Sequence, residues 1–218
     1  MIEQNSEIDQ ADLHQADLQK ADLKQADLQQ AVAVIQEGGV LIYPTETVYG
    51  IGGDANQEAL IRRVQRIKGR DGDKPMLVLT DEWERAHEWI ANCTPLHQAL
   101  MKSGLPITIL FEPTNAVPTA LRGTSPLVGI RKSSHPLCQS LIQQSNCLLL
   151  STSANLSGKM PVSDVQFLDA DLVHQADFVL DGGALTPSLP STVVAVLGGK
   201  LKILREGNIS EKQIQYVI

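Results

Sequence analysis

Aromatic side chains are scarce, with two Trp, three Tyr and three Phe making up 4% of 218 residues. That is thin for a surface that stacks successive bases of single-stranded nucleic acid. Positive charge is also in deficit, 18 Lys and Arg against 25 Asp and Glu for a net charge of −7, which argues against a generic nucleic-acid coat. Cys93, Cys138 and Cys147 have no CxxC spacing, and the five histidines form no HxH or HxxxH pair. A structural disulfide or zinc site is therefore not expected, no metal ligands are assigned, and the thiols are read as free and buried or half-buried. No apolar run approaches the roughly 18–20 residues that span a bilayer. The first ten residues, MIEQNSEIDQ, are acidic where a secretory leader is basic, so a cytoplasmic protein is expected. GxxxxGKS/T, GxGxxG and GxSxG are all absent, which removes the P-loop, the dinucleotide fingerprint and the hydrolase nucleophile elbow.

What charge there is lies unevenly. Residues 1–30 carry seven acids and two bases, whereas RRVQRIKGRDGDK, residues 62–74, carries six bases and two acids. A concentrated positive site on a near-neutral body suits a small polyanion better than a long phosphate backbone. Residues 11–30 repeat ADLxx with period five. On a helix that period spirals leucine round every face and leaves no apolar stripe. The pattern resembles pentapeptide repeats, but four copies make about one coil of a β-helix, too little to bury a core. Residues 1–25 are expected to be an acidic, mobile or weakly helical extension, and residues 26–218 one domain.

Within that domain apolar segments alternate with helical ones. ADLQQAVAVIQEGG spaces Leu28, Ala31, Val32 and Ile35 as a helix that Gly38-Gly39 stops. Strands are expected at VLIY, MLVLT, ITILF, LVGIR, CLLLSTS and FVL, and helices at QEALIRRVQRIKG, DEWERAHEWIAN and PLCQSLIQQS. STVVAVLGGKLKILREG reads as an antiparallel hairpin turning at Gly198-Gly199. Short strands, crossover helices and a hairpin indicate an α/β protein with an open, twisted, mixed sheet and flanking helices.

Four patches carry chemistry. LIYPTETVYGIGGD ends a strand in Thr45, Glu46 and Thr47 and then three glycines. It is either a turn with local hydrogen bonds or a ligand wall whose glycines admit substrate close to backbone. Lys68-Gly69-Arg70-Asp71-Gly72-Asp73-Lys74 follows a helix. Its bases answer the helix dipole or grip phosphates, Arg as a planar fork and Lys as a mobile point charge. STSANLSG, residues 151–158, delivers hydroxyls and an amide from a strand apolar enough to lie deep in the sheet. Open α/β sheets bind ligands at such carboxyl ends, and a polar turn is the alternative. Arg131 and Arg205 each close an apolar strand and are placed to share an anion.

Taken in order, PTETVYGIG, KGR, IRKSSHPL, STSANLSG, PSTVV and LREG resemble the threonylcarbamoyl-AMP synthase family, the YrdC-type domain in its single-domain form, across about residues 26–210. The resemblance implies a YrdC-like fold with a concave, positively charged face. It implies a cytoplasmic nucleotidyltransferase that makes L-threonylcarbamoyl-adenylate and pyrophosphate from L-threonine, bicarbonate or CO₂ and ATP, with Mg²⁺ bridging the phosphates. The product would feed threonylcarbamoyl-adenosine modification of tRNA beside the anticodon, through a downstream tRNA transferase complex. Carried over position by position, Lys68, Arg70, Ser153 and Asn155 match the residues that hold ATP and support catalysis. Pro161 and Arg205 match further nucleotide contacts, and Thr45, Arg131, Ser151 and Ser191 match positions around threonine. Three departures stand out: Asp71 where the family has proline after KxR, Thr108 in LPIT with no role assigned, and Lys132-Ser133-Ser134 after Arg131. The competing reading is a tRNA or double-stranded RNA-binding module without nucleotidyl transfer, which predicts a steep salt dependence.

Overall fold

The computed structural model describes residues 25–186 and 189–218. The repeat extension expected over residues 1–25 thus lies, apart from its last residue, outside the described residues. Helix α1 is seen over 25–36, with Leu28, Ala31 and Ile35 buried, and it ends at Gly38 with φ +80°.

The chain then builds strand β1 (Leu41–Tyr43), β2 (Gly50–Gly52), helix α2 (Glu58–Lys68), β3 (Leu77–Thr80), α3 (Pro95–Lys102) and β4 (Thr108–Phe111). Helix α4 (Thr119–Arg122), β5 (Val128–Lys132), α5 (Pro136–Ser145), β6 (Leu149–Ser153), α6 (Ala170–Gln175) and β7 (Phe178–Val179) follow. The chain closes with β8 (Val193–Leu197), β9 (Lys200–Arg205) and α7 (Glu211–Val217). The nine strands form one mixed sheet in the order β7-β1-β2-β6-β3-β5-β4-β8-β9. Pairs β1–β7, β3–β5 and β4–β8 are parallel and the others antiparallel.

Period-two alternation decides which side of the sheet each residue serves. Leu41, Tyr43, Leu79 and Leu149 pack with Leu28, Ala31 and Ile35 of α1 and with Cys138, Leu141 and Ile142 of α5. Their neighbours Ile42, Val78 and Leu150 pack on the other side with Leu60, Ile61, Val64 and Ile67 of α2. The helical spacing of α2 puts Leu60, Val64 and Ile67 inward and Arg62 and Arg66 outward as expected, whereas Arg63, expected outward too, is half-buried in an ion pair with Asp177. The hairpin at Gly198-Gly199 is met too, with both glycines at positive φ (+58° and +75°) as a tight turn of that kind requires.

Other expectations change. DEWERAHEWIAN forms a 3₁₀ helix over Trp83–Trp89, not an α-helix. Its apolar residues Trp83, Ala86 and Trp89 recur every third position, which aligns them on a three-residue turn. The glycines after PTET also serve differently. A Cβ at Gly52 would lie 1.7 Å from the Leu150 carbonyl oxygen, and one at Gly53 2.6 Å from that of Gly39. Those two glycines admit neighbouring backbone, and only Gly50 borders the cleft described below. Cys138 and Cys147 are buried free thiols as expected, but Cys93, expected to be at least half-buried, is an exposed free thiol. Burial pushes Cys138 up to about 12 and Cys147 to about 11.

Substituting Gly52→Ala should therefore destabilise the fold by about 3 kcal/mol or more, since the clash is with backbone and cannot be relieved by a rotamer change. The shift in denaturant midpoint measures it, and a midpoint equal to that of the unaltered chain would contradict the packing.

Candidate active site

Alternation also places the polar side chains. Ser151 and Ser153 continue the side of Leu149 on β6, Arg131 on β5 pairs with Leu79, and Ser151 pairs with Leu77. These residues come out on the sheet side that carries Tyr43 and Leu79, beyond the reach of α1 and α5. There a cleft of about 250 Å³ opens, lined by three arginines, Arg70, Arg131 and Arg205, and, among the described residues, by no carboxylate. Eight of the ten residues singled out from the sequence line it: these arginines with Thr45, Ser151, Ser153, Pro161 and Ser191.

Each arginine is anchored differently. Arg131, 4% exposed, has its Nε 3.0 Å from Oε1 of Glu46, at an angle too poor for a hydrogen bond, and its Nη1 donates to Thr47 Oγ1 at 3.4 Å. Glu46 Oε2 in turn accepts from Ser133 Oγ at 2.8 Å. Arg205 donates from Nε and Nη2 to the Ser191 carbonyl at 3.2 and 2.9 Å. Arg70 donates from Nη2 to the Pro75 carbonyl at 2.8 Å, and its Nε is buried without an acceptor among the described residues. Burial lowers the pKa of Arg70, offset in part by Asp71. Partial burial and the nearby Arg131 lower that of Arg205, so the two strand-end arginines are close enough to repel.

The hydroxyls are held as firmly. Thr45 Oγ1 donates to the Val48 carbonyl at 2.7 Å and accepts from the Thr47 and Val48 amides, so this stretch is both a locally bonded turn and a wall of the cleft. Tyr49 Oη donates to the Gly183 carbonyl (2.8 Å) and accepts from the Gly182 amide (3.0 Å), which ties that turn to the loop leading to Ser191. Burial pushes the Tyr49 phenol up to about 12.

Lys68 and Asn155 stand apart from the lining. Lys68 is 2% exposed, and its Nζ donates to the Ser153 carbonyl and, at 2.5 Å, to that of Asn155. The amide of Asn155 donates to the carbonyls of Leu156 and Lys159. Both residues thus brace the turn after β6 from behind. Burial, with Arg70 beside it, lowers the Lys68 pKa from 10.5 to about 8.

Three residues that carry no assigned role in the sequence hold the site together. Thr108, assigned no role, lies 2.8 Å through its Oγ1 from Ser191 Oγ and so orients a hydroxyl of the cleft. Glu46 and Ser133 flank recognised residues, but only the fold shows that β1 and β5 bring them together. Asp71, where the resemblance implies proline, forms an Asx turn, its Oδ1 accepting from the Asp73 amide at 3.0 Å. Among the described residues no group of three His, Cys, Asp or Glu is arranged to hold a metal ion, and no helix is long and apolar enough to cross a membrane.

Comparison with known proteins bears on this geometry. A model for the Sua5/YciO/YrdC family, described as telomere recombination, matches residues 33–207, and one for pentapeptide repeats (8 copies) matches residues 4–32. The curated threonylcarbamoyl-AMP synthase of Pyrococcus abyssi is 28% identical over 191 residues, 86% of this chain and 56% of that protein. That of Bacillus subtilis is 31% identical, covering 86% of this chain and 55% of that protein. That of Thiobacillus denitrificans is 32% identical, covering 78% and 90%. The chain therefore spans little more than half the length of the first two relatives and most of the third. Among solved structures, Pyrococcus abyssi Sua5 complexed with L-threonine matches with a TM-score of 0.84 at 27% identity, over 88% of this chain and 57% of that one. YciO of E. coli matches with a TM-score of 0.78 at 26% identity, over 87% and 93%. With a family model covering most of the sequence and the same fold in solved members, the chain belongs to the Sua5/YciO/YrdC family.

Proposed function

We propose that the chain synthesises L-threonylcarbamoyl-adenylate and pyrophosphate from L-threonine, bicarbonate or CO₂ and ATP. The observation that carries this reading is the cleft itself, in which three arginines and a set of small hydroxyls converge. The curated relatives named threonylcarbamoyl-AMP synthase, and the Sua5 structure with L-threonine, support it.

The chemistry asks for such a site. The neutral amine of threonine adds to the carbon of CO₂ and loses a proton, giving a carbamate. A carbamate oxygen then attacks the α-phosphorus of ATP, the bond to the bridging oxygen breaks, and pyrophosphate leaves. Both reactants are anions, so the barrier is repulsion and alignment more than bond chemistry, and no side-chain nucleophile is needed. Arg70 and Arg205, held by backbone carbonyls and, for Arg205, the Ser191 hydroxyl, have charge to give to phosphate. Arg131, fixed from behind, is suited to the single carboxylate of threonine, and Thr45, Ser151 and Ser191 offer hydroxyls to its side chain. Ser153 and Pro161 lie on the nucleotide side. Lys68 and Asn155 act on ATP in this scheme by setting the turn that carries Ser153, and Lys68 reaches phosphate directly only by releasing a carbonyl partner. Mg²⁺ would enter as part of the substrate on the ATP phosphates, the usual arrangement for a cation carried by a nucleotide. The product would pass to a tRNA-modifying transferase in the cytoplasm, the repeat segment 1–25 standing outside the catalytic part.

Three outcomes test the reading. Incubation with ATP, bicarbonate and each amino acid in turn should release pyrophosphate with threonine alone; release without an amino acid, or with all, would refute it. Arg70→Ala should lower turnover by roughly 10²-fold, the scale of a lost transition-state charge contact. The third concerns Lys68. Since its folded pKa of about 8 lies below the unfolded 10.5, the unfolded chain holds the extra proton between those values and stability gains with rising pH there. The unfolding free energy of the unaltered chain relative to Lys68→Met should therefore rise across that window, by up to about 1.4 kcal/mol per pH unit. A flat difference would show that Lys68 titrates normally.

A further inference from the structure

Arg131 presents a puzzle of specificity. ATP brings far more negative charge than threonine, and a buried guanidinium should prefer the richer anion. The answer lies behind the cleft wall. Among the described residues, Glu46 is the one carboxylate within ion-pair distance of any cleft arginine, and it does not line the cleft itself. Its side chain is 11% exposed, held by Ser133 Oγ on one oxygen and facing Arg131 Nε with the other. Arg70 and Arg205 have backbone carbonyls in place of a carboxylate.

We propose that Glu46, locked by Ser133, is a positioning and specificity-determining residue that acts through Arg131: it turns the guanidinium's free edge to the cleft and cancels enough charge that Arg131 takes a monocarboxylate while the polyphosphate goes elsewhere. This rests on the reading above that Arg131 receives the threonine carboxylate. Its physical content is discrimination by withdrawal of attraction, since the wrong ligand loses more from a neutralised partner than the right one does. Glu46 and Ser133 come from β1–β2 and from just after β5, so the pair also fixes the distance between the two walls that threonine must bridge.

The test is calorimetric titration of the full chain with L-threonine and, separately, with inorganic pyrophosphate, alongside steady-state kinetics. In Glu46→Gln, threonine affinity should fall about tenfold while pyrophosphate binds several-fold more tightly, the usual signature of an uncompensated buried cation. KM for threonine should rise with kcat nearly unchanged, and Glu46→Asp should recover part of the loss. In an Arg131→Gln background, Glu46→Gln should add nothing, because the effect runs through that arginine. Pyrophosphate affinity unaltered by Glu46→Gln, or a full further loss in the Arg131→Gln background, would overturn the inference. Should Glu46→Gln fail to fold, Ser133→Ala decides: a raised KM for threonine supports the lock and an unchanged one refutes it. An unaltered chain that ignores threonine, with Glu46→Gln still tightening pyrophosphate, would sink the synthase reading and leave the charge cancellation standing.

Discussion

Like charges repel, and this fold gathers three guanidinium groups around one small cleft with a lysine ammonium directly behind. The arrangement is held by main-chain dipoles more than by counter-charges. Lys68 rests on two carbonyls, Arg205 and Arg70 on one each, and only Arg131 has a carboxylate. Carbonyls satisfy donors without removing net charge. The cations therefore stay crowded: beyond burial, Arg70 helps lower Lys68 and Arg131 helps lower Arg205, whereas Arg70 is lowered by burial alone. An anion entering the cleft would relieve that crowding, and the relief would count toward its affinity.

The scaffold makes this tolerable by putting the cations at the ends of elements with little freedom to move. Lys68 closes α2, where Gly69 at φ +57° turns the chain away and aims Arg70 back toward Pro75. Arg205 closes β9, opposite Val193. Arg131 is pinned in the middle of the sheet between β3 and β4. The side-chain bonds of Lys68, Arg70 and Arg205 to carbonyls already restrict their rotamers, which leaves less side-chain entropy to be lost on binding.

Much of this could be read before folding. Spacing three and four gave the buried stripe of α2, glycine pairs marked the stop of α1 and the β8–β9 turn, and the strand-end hydroxyls of β6 converge as their position suggested. Three features could not be read, for distinct reasons. The 3₁₀ segment at Trp83–Trp89 hides its three-residue period inside what passes for an amphipathic helix. The Glu46–Ser133 bond joins residues 87 positions apart, and no local pattern encodes such a pairing. Lys68 sits in a run of bases whose neighbours Arg62 and Arg66 are exposed, and composition cannot tell the one ammonium that turns inward from those that do not.

Tyr49 has a quieter bearing on how the cleft can drift over generations. Its hydroxyl is held by the Gly182 amide and the Gly183 carbonyl, with the Asp181 side chain beside it. Because two of those partners are backbone, much of the sequence along that loop can change without altering the width of the opening, provided the backbone trace persists. Gly182 is the exception, since any Cβ there would strike Pro44 at 2.6 Å. The gap's dimension is thus inherited through one phenol and one missing methyl.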